Sequence, residues 1–217
     1  MNAWVVASKN KAIFLRNQSD VQLQDAASAG FAIEMGEVWL NYILSLEKSK
    51  GKDAVRDLMV ELSDKTLVGE YVGAVEHQHM VKYNRKTLIF YAVVENNSPD
   101  ICWTHERSLS LFQRYGLDSV KIESLGLYET YDSLCDKLYE TFRNVAKSKI
   151  VEEEEGSVIY LTKRHKSGNP SKDKVLSLAK LKTLEYRIFR KMREKLRNYY
   201  RNKARSKSPN QIVKAFT

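Results

Sequence analysis

The sequence predicts an α+β protein, because short β-rich runs alternate with amphipathic helical stretches and no internal repeat recurs. The continuous apolar run Thr87-Leu88-Ile89-Phe90-Tyr91-Ala92-Val93-Val94 reads as a strand buried on both faces. Toward the end, a long basic stretch carries apolar residues three or four apart, the pattern of an amphipathic helix. A chain of 217 residues, 43% hydrophobic with only three prolines and nine glycines, has the material for a packed core.

The elements follow in order. Trp4-Val5-Val6-Ala7 and Ala12-Ile13-Phe14-Leu15 are two short strands around the polar turn Ser8-Lys9-Asn10-Lys11. A helical pattern runs from about Asp25 to Leu46, with Lys50-Gly51 as its stop, and a second helix covers Asp53 to Leu62. Strands return at Thr66–Gly73 and at Thr87–Val94, before Asn96-Asn97-Ser98-Pro99 breaks the chain. Helices are expected near Glu106–Tyr115 and Tyr128–Lys147. Ser157–Leu161 is a strand, residues 163–174 a basic polar loop, and Leu176–Lys182 an alternating strand. A basic helix then runs to about Tyr200.

Charge narrows the partners. Residues 180–207 hold twelve Lys and Arg against Glu185 and Glu194, a net +10, whereas the whole chain carries +9. A near-neutral body with a basic tail points to a polyanion. No apolar run approaches a membrane span, and the first residues lack the basic and apolar regions of a signal peptide. Cys102 and Cys135 lack metal-ligand spacing and are expected as reduced thiols of an intracellular protein, cytoplasmic or nuclear. His77 and His79 could share a metal, but no third ligand is near in sequence, so a polar loop is the expectation.

Three groups carry chemistry. Glu70 stands in an apolar strand between Gly69 and Gly73, glycines that allow a ligand close to the backbone; a salt-bridged or edge-strand glutamate is the alternative. Glu152 to Glu154 read as a solvated run. Glu155 differs because it abuts Gly156 and enters an apolar strand, a position from which it could serve a magnesium ion near phosphates. Lys180 and Lys182 fall two apart in a strand and share a face, where an anion between them would relieve their repulsion; the alternative is a strand edge with ordinary exposed lysines.

In this order the motifs resemble the covalent nucleotidyltransferase superfamily of ATP-dependent RNA and DNA ligases and capping enzymes, and RNA ligases most of all. The matching elements are Ser8-Lys9-Asn10, Gly69-Glu70-Tyr71, Ile89-Phe90-Tyr91-Ala92, Glu155-Gly156-Ser157-Val158 and Lys180-Leu181-Lys182, spread over most of the chain. The resemblance implies an ATP-grasp-like ligase adenylation domain with mainly antiparallel sheets and helices packed outside. It would occupy residues 1–182, with the basic amphipathic helix and tail as 183–217. The resemblance further implies ATP and Mg2+ as cofactors and RNA ends as substrate, DNA being less expected, in a monomer away from membranes. Lys9 would contact phosphates or the RNA end, and Glu70 the ribose hydroxyls. Phe90 or Tyr91 would stack on adenine, Phe90 being preferred, and both could instead be core. Glu155 would serve metal and phosphates, and Lys180 and Lys182 the α-phosphate and the leaving pyrophosphate.

One family element is missing. The nucleophilic Lys-x-Asp-Gly occurs nowhere in the chain, so a truncated ligase, inactive alone, or a catalytically dead nucleotide- and RNA-binding relative is expected. Lys9 and Lys11 are fallback nucleophiles, and a GTP-using capping enzyme is a further alternative. On the basic helix, Leu181, Leu184, Ile188, Met192, Leu196 and Tyr199 form the apolar stripe, expected to dock on the body. Arg187, Arg190, Lys191, Arg193, Arg197 and Arg201 would track a phosphate backbone, membrane-surface binding being the alternative.

Overall fold

The computed structural model describes residues 3–24, 30–73, 83–147 and 156–206. The chain is α+β, with three two-stranded sheets and six α-helices among the described residues. β1 (Trp4–Ala7) and β2 (Ala12–Leu15) form an antiparallel hairpin with Trp4 opposite Leu15. The Ser8 N–H closes its turn by donating to the Lys11 carbonyl at 2.7 Å. Alternation then sorts the residues: Ile13 and Leu15 enter a small core with Val21, Ala32 and Leu40, while the cross-strand neighbours Val5 and Phe14 face outward.

A short helix, α1 (Gln18–Gln22), has no apolar period to announce it. A capping box makes it: the Asn17 side chain accepts from the Ser19 and Asp20 N–H groups at 2.9 and 3.3 Å, and the Asp20 carboxylate accepts from the Asn17 N–H at 3.3 Å. Helix α2 (Phe31–Lys50) stops at Gly51, as Lys50-Gly51 predicts, and residues 25–29, where its pattern begins, lie outside the described residues. Helix α3 (Lys52–Glu61) follows directly.

β3 (Lys65–Val72) and β4 (Thr87–Glu95) pair antiparallel, and β4 has neighbours along both edges. On its far edge the Phe90 N–H donates to the Asp118 carbonyl at 2.8 Å and the Val120 N–H to the Phe90 carbonyl at 3.1 Å. Farther on, the Trp103 N–H donates to the Val93 carbonyl at 2.8 Å. The strand is present, with Phe90, Ala92 and Val93 buried and its other residues half-buried. Helix α4 (His105–Tyr115) buries Leu111, Phe112 and Tyr115 against it, with Trp39, Ile43 and Leu46 of α2 and Leu58 of α3 completing the main core.

Helix α5 (Tyr131–Lys147) starts three residues later than expected, because the Thr130 hydroxyl accepts from the Ser133 N–H at 3.2 Å. β5 (Gly156–Lys163) and β6 (Lys174–Lys182) form the third sheet, and α6 (Leu184–Ser206) is the long basic helix. No helix among the described residues is long and apolar enough to cross a membrane.

The chain forms two compact units, Met1–Ser124 with Tyr160–Leu178, and Leu125–Ile159 with Ala179–Thr217. The second unit holds α5 and α6 together with the ends of β5 and β6 that adjoin them.

Two residues of α4 separate packing from polarity. Leu111 is 1% exposed in the main core, and the equally buried Ser108 hydroxyl has no hydrogen-bond partner. Leu111→Ala should lower unfolding free energy by about 2–5 kcal/mol, since it leaves a cavity. Ser108→Ala should leave stability unchanged or raise it, since it removes an unpaired buried hydroxyl. Urea midpoints of both variants measure the contrast.

Candidate functional site

The Gly-Glu strand and the aromatic strand meet at an irregularity. Val68 pairs with Ala92, but the next pair is Gly69 with Phe90, so Tyr91 is an extra residue in β4. A regular strand would place residues 90, 92 and 94 on one face. Here Phe90 and Val93 enter the main core, whereas Tyr91, Ala92 and Val94 pack on the opposite side with Val68, Cys102, Tyr160 and Val175.

The bulge separates the two candidate aromatics. Phe90 is 6% exposed, its ring 6.1 Å from that of Trp39 and 5.9 Å from that of Phe112. The space beside Gly69 is filled from within, since a β-carbon there would stand 2.8 Å from the Ile89 carbonyl oxygen and 3.0 Å from Phe90 Cδ1. Gly69 admits this chain's own ring and backbone, where the sequence suggested room for a ligand. Tyr91, by contrast, is half-buried on the side of the exposed Glu70. Burial pushes the Tyr91 phenol up, and the Glu70 charge nearby pushes it further.

Tyr160 pins β5 to this place. Its hydroxyl donates to the Tyr91 carbonyl at 2.9 Å, and burial above all pushes its pKa up to about 12. Burial also pushes the neighbouring Cys102 thiol up, which keeps it protonated and unreactive. In the same unit, Lys9 lies exposed at the tip of the first hairpin, whose inner face packs toward α1 and α2.

The second unit brings two other motifs together. Gly156 has φ +149°, and a β-carbon on it would lie 2.1 Å from the Leu181 carbonyl oxygen and 2.8 Å from Lys182 Cα. Only glycine tolerates both the conformation and the approach. The Glu-Gly and Lys-x-Lys elements are thus in backbone contact, although 25 residues of chain lie between Gly156 and Lys182. Glu155 itself is outside the described residues. Lys180 is exposed, and Lys182 is half-buried with its ammonium 4.3 Å from the Tyr186 ring centroid. Buried Thr183 accepts the Tyr186 N–H on its hydroxyl at 3.2 Å and so starts α6 immediately after the lysines. Thr183 and Tyr186 are absent from the sequence candidates, though a threonine just ahead of a helical period is a legible cap signal.

Along α6 the charges face outward. Arg187, Arg190, Lys191, Arg197 and Arg201 are exposed and Arg193 is half-buried. Arg190 pairs with Glu194 at 3.0 Å, and Arg201 donates to Asn198 at 3.1 Å. The apolar stripe differs from expectation. Ile188, Met192, Leu196 and Tyr199 are 49–58% exposed and are not sunk into a core.

No cluster of three or more potential metal ligands occurs among the described residues, and His77 and His79 lie outside them. His165 accepts the Ser167 N–H on Nδ1 at 3.2 Å, and His105 lies 3.4 Å from the adjacent Glu106 carboxylate. The chain matches no protein-family model, no curated protein and no solved structure.

Tyr160 makes the site pH-sensitive on the alkaline side. A phenol whose folded pKa exceeds its unfolded value stabilises fully below the unfolded value of about 10. That contribution is lost as pH rises from there through about 12. Tyr160→Phe should therefore be less stable than wild type near neutrality, with the gap narrowing above pH 10. Chemical denaturation at a series of pH values measures it; a gap that stays constant or widens would remove Tyr160 from this role.

Proposed function

We propose that this chain binds ATP as the nucleotide-holding part of an RNA ligase-like nucleotidyltransferase. The observation that carries the reading is the backbone contact of Gly156 with Leu181 and Lys182, which joins two motifs whose family counterparts serve the same phosphates. Glu70 and Tyr91 support it from the other motif pair, as an exposed carboxylate beside a half-buried ring.

Taken by itself, the first unit offers Tyr91 as a ring for adenine and Glu70 as an acceptor for ribose hydroxyls, the roles of their family counterparts. Phe90 supports the strand from the core. Lys180 and Lys182 neutralise the phosphates, and magnesium arrives on the nucleotide, with Glu155 next to Gly156 in sequence as the acidic residue to serve it. Phosphoryl transfer depends mostly on positioning and charge neutralisation, which suits two lysines ahead of a fixed helix start. The outward arginines of α6 offer a phosphate-tracking surface for RNA.

A second reading rests on one sequence fact. No Lys-x-Asp-Gly is present, so the lysine that would attack the α-phosphorus is not assigned to any residue here. A binding protein that holds nucleotide and RNA without turnover uses the same residues and needs no nucleophile. Both readings share the ATP site.

Calorimetric titration of the purified chain with ATP and magnesium should show binding, weakened about tenfold to a hundredfold by Lys182→Ala, the span of a charged hydrogen bond. Labelled AMP should not remain on the chain after denaturation. An absence of ATP binding would end both readings. Retained AMP would instead show that the chain supplies its own nucleophile, with Lys9 and Lys11 the first to substitute.

A further inference from the structure

Lys182 is fixed at three points within one compact unit. Its Cα lies 2.8 Å from where a β-carbon on Gly156 would stand, so the backbones there are in close contact. The following residue, Thr183, is 3% exposed and caps α6 through its hydroxyl. Beyond the backbone, the ammonium rests 4.3 Å from the centroid of the Tyr186 ring, one helical turn onward. Lys180, two residues earlier on the strand, is exposed.

These contacts make the two lysines unequal. A lysine free in solvent samples many rotamers and loses that freedom when it meets a phosphate. A ring face that attracts the ammonium restricts it beforehand. Preorganisation of this kind strengthens binding by reducing the cost of ordering. Tyr186 is itself set by the Thr183 cap, because the N–H accepted by the threonine hydroxyl is its own. The path from the buried threonine through the ring to the ammonium is continuous.

We infer that Tyr186 is a positioning residue for Lys182, its ring holding the ammonium ready for a nucleotide phosphate. The identity of the ligand rests on the nucleotide reading above; the placement of the lysine does not.

ATP titration of five forms tests it: wild type, Tyr186→Phe, Tyr186→Leu, Lys182→Ala and the double variant Lys182→Ala/Tyr186→Leu. The phenylalanine variant keeps the ring and should stay within twofold of wild type. Tyr186→Leu should bind about threefold to tenfold more weakly, the range of an exposed to partly desolvated cation–π contact. In the Lys182→Ala background the leucine change should add nothing, because Tyr186 acts through the lysine. Additive losses, or Tyr186→Leu equal to wild type, would overturn the inference. Thermal melts of each form detect any general unfolding.

Amine labelling separates the inference from the nucleotide reading. Brief acetylation, followed by mass spectrometry, reports the labelling of Lys182 relative to Lys180 without any nucleotide. Tyr186→Leu should raise that ratio at least twofold and Tyr186→Phe should not. If wild type fails to bind ATP but the ratio shifts, the nucleotide reading fails and the positioning role stands. An unchanged ratio overturns the positioning role whatever ATP does.

Discussion

One extra residue in β4 determines which of its side chains enter the main core and which pack on the opposite side. With Tyr91 unpaired, Phe90 and Val93 turn to the main core while Tyr91, Ala92 and Val94 turn away from it. The strand can do this because both its edges are occupied, by β3 and by the backbone of Asp118, Val120 and Trp103. A bulge on an unsupported edge would leave backbone groups unpaired. Here the main core, the Tyr160 hydrogen bond and the neighbourhood of Glu70 all depend on it.

In the second unit the two lysines have unequal surroundings, since Lys180 is exposed while Lys182 is half-buried with its ammonium by the Tyr186 ring. Gly156 and Thr183 hold the backbone on which this depends. The +10 of residues 180–207 then continues along α6, where Glu194 engages Arg190 and Asn198 engages Arg201. Exposed ion pairs of this kind contribute little to stability.

Much of the architecture was legible because local signals and tertiary packing agree. The first hairpin falls at the residues its alternation marks, and α2 stops at Gly51. Helix α1 was missed because its five residues depend on the Asn17–Asp20 capping box and carry no apolar period. The site was less legible. Alternation cannot reveal a bulge, so the sequence leaves Phe90 and Tyr91 as alternatives, each also a core candidate, and packing places Phe90 in the core. Gly69 and Gly156 look alike in sequence. One receives a neighbouring aromatic ring and the other the backbone of a distant strand, a difference that only long-range contacts create.

The most direct measurement compares Phe90→Ala with Tyr91→Ala in stability and in ATP affinity. The account predicts that Phe90→Ala loses about 3–5 kcal/mol of stability, as truncation of a core aromatic does. Tyr91→Ala should remain folded at 25 °C and bind ATP at least about tenfold more weakly, the loss of a stacked base. A Tyr91→Ala chain that binds ATP as wild type does, or a Phe90→Ala chain of unchanged stability, would contradict it.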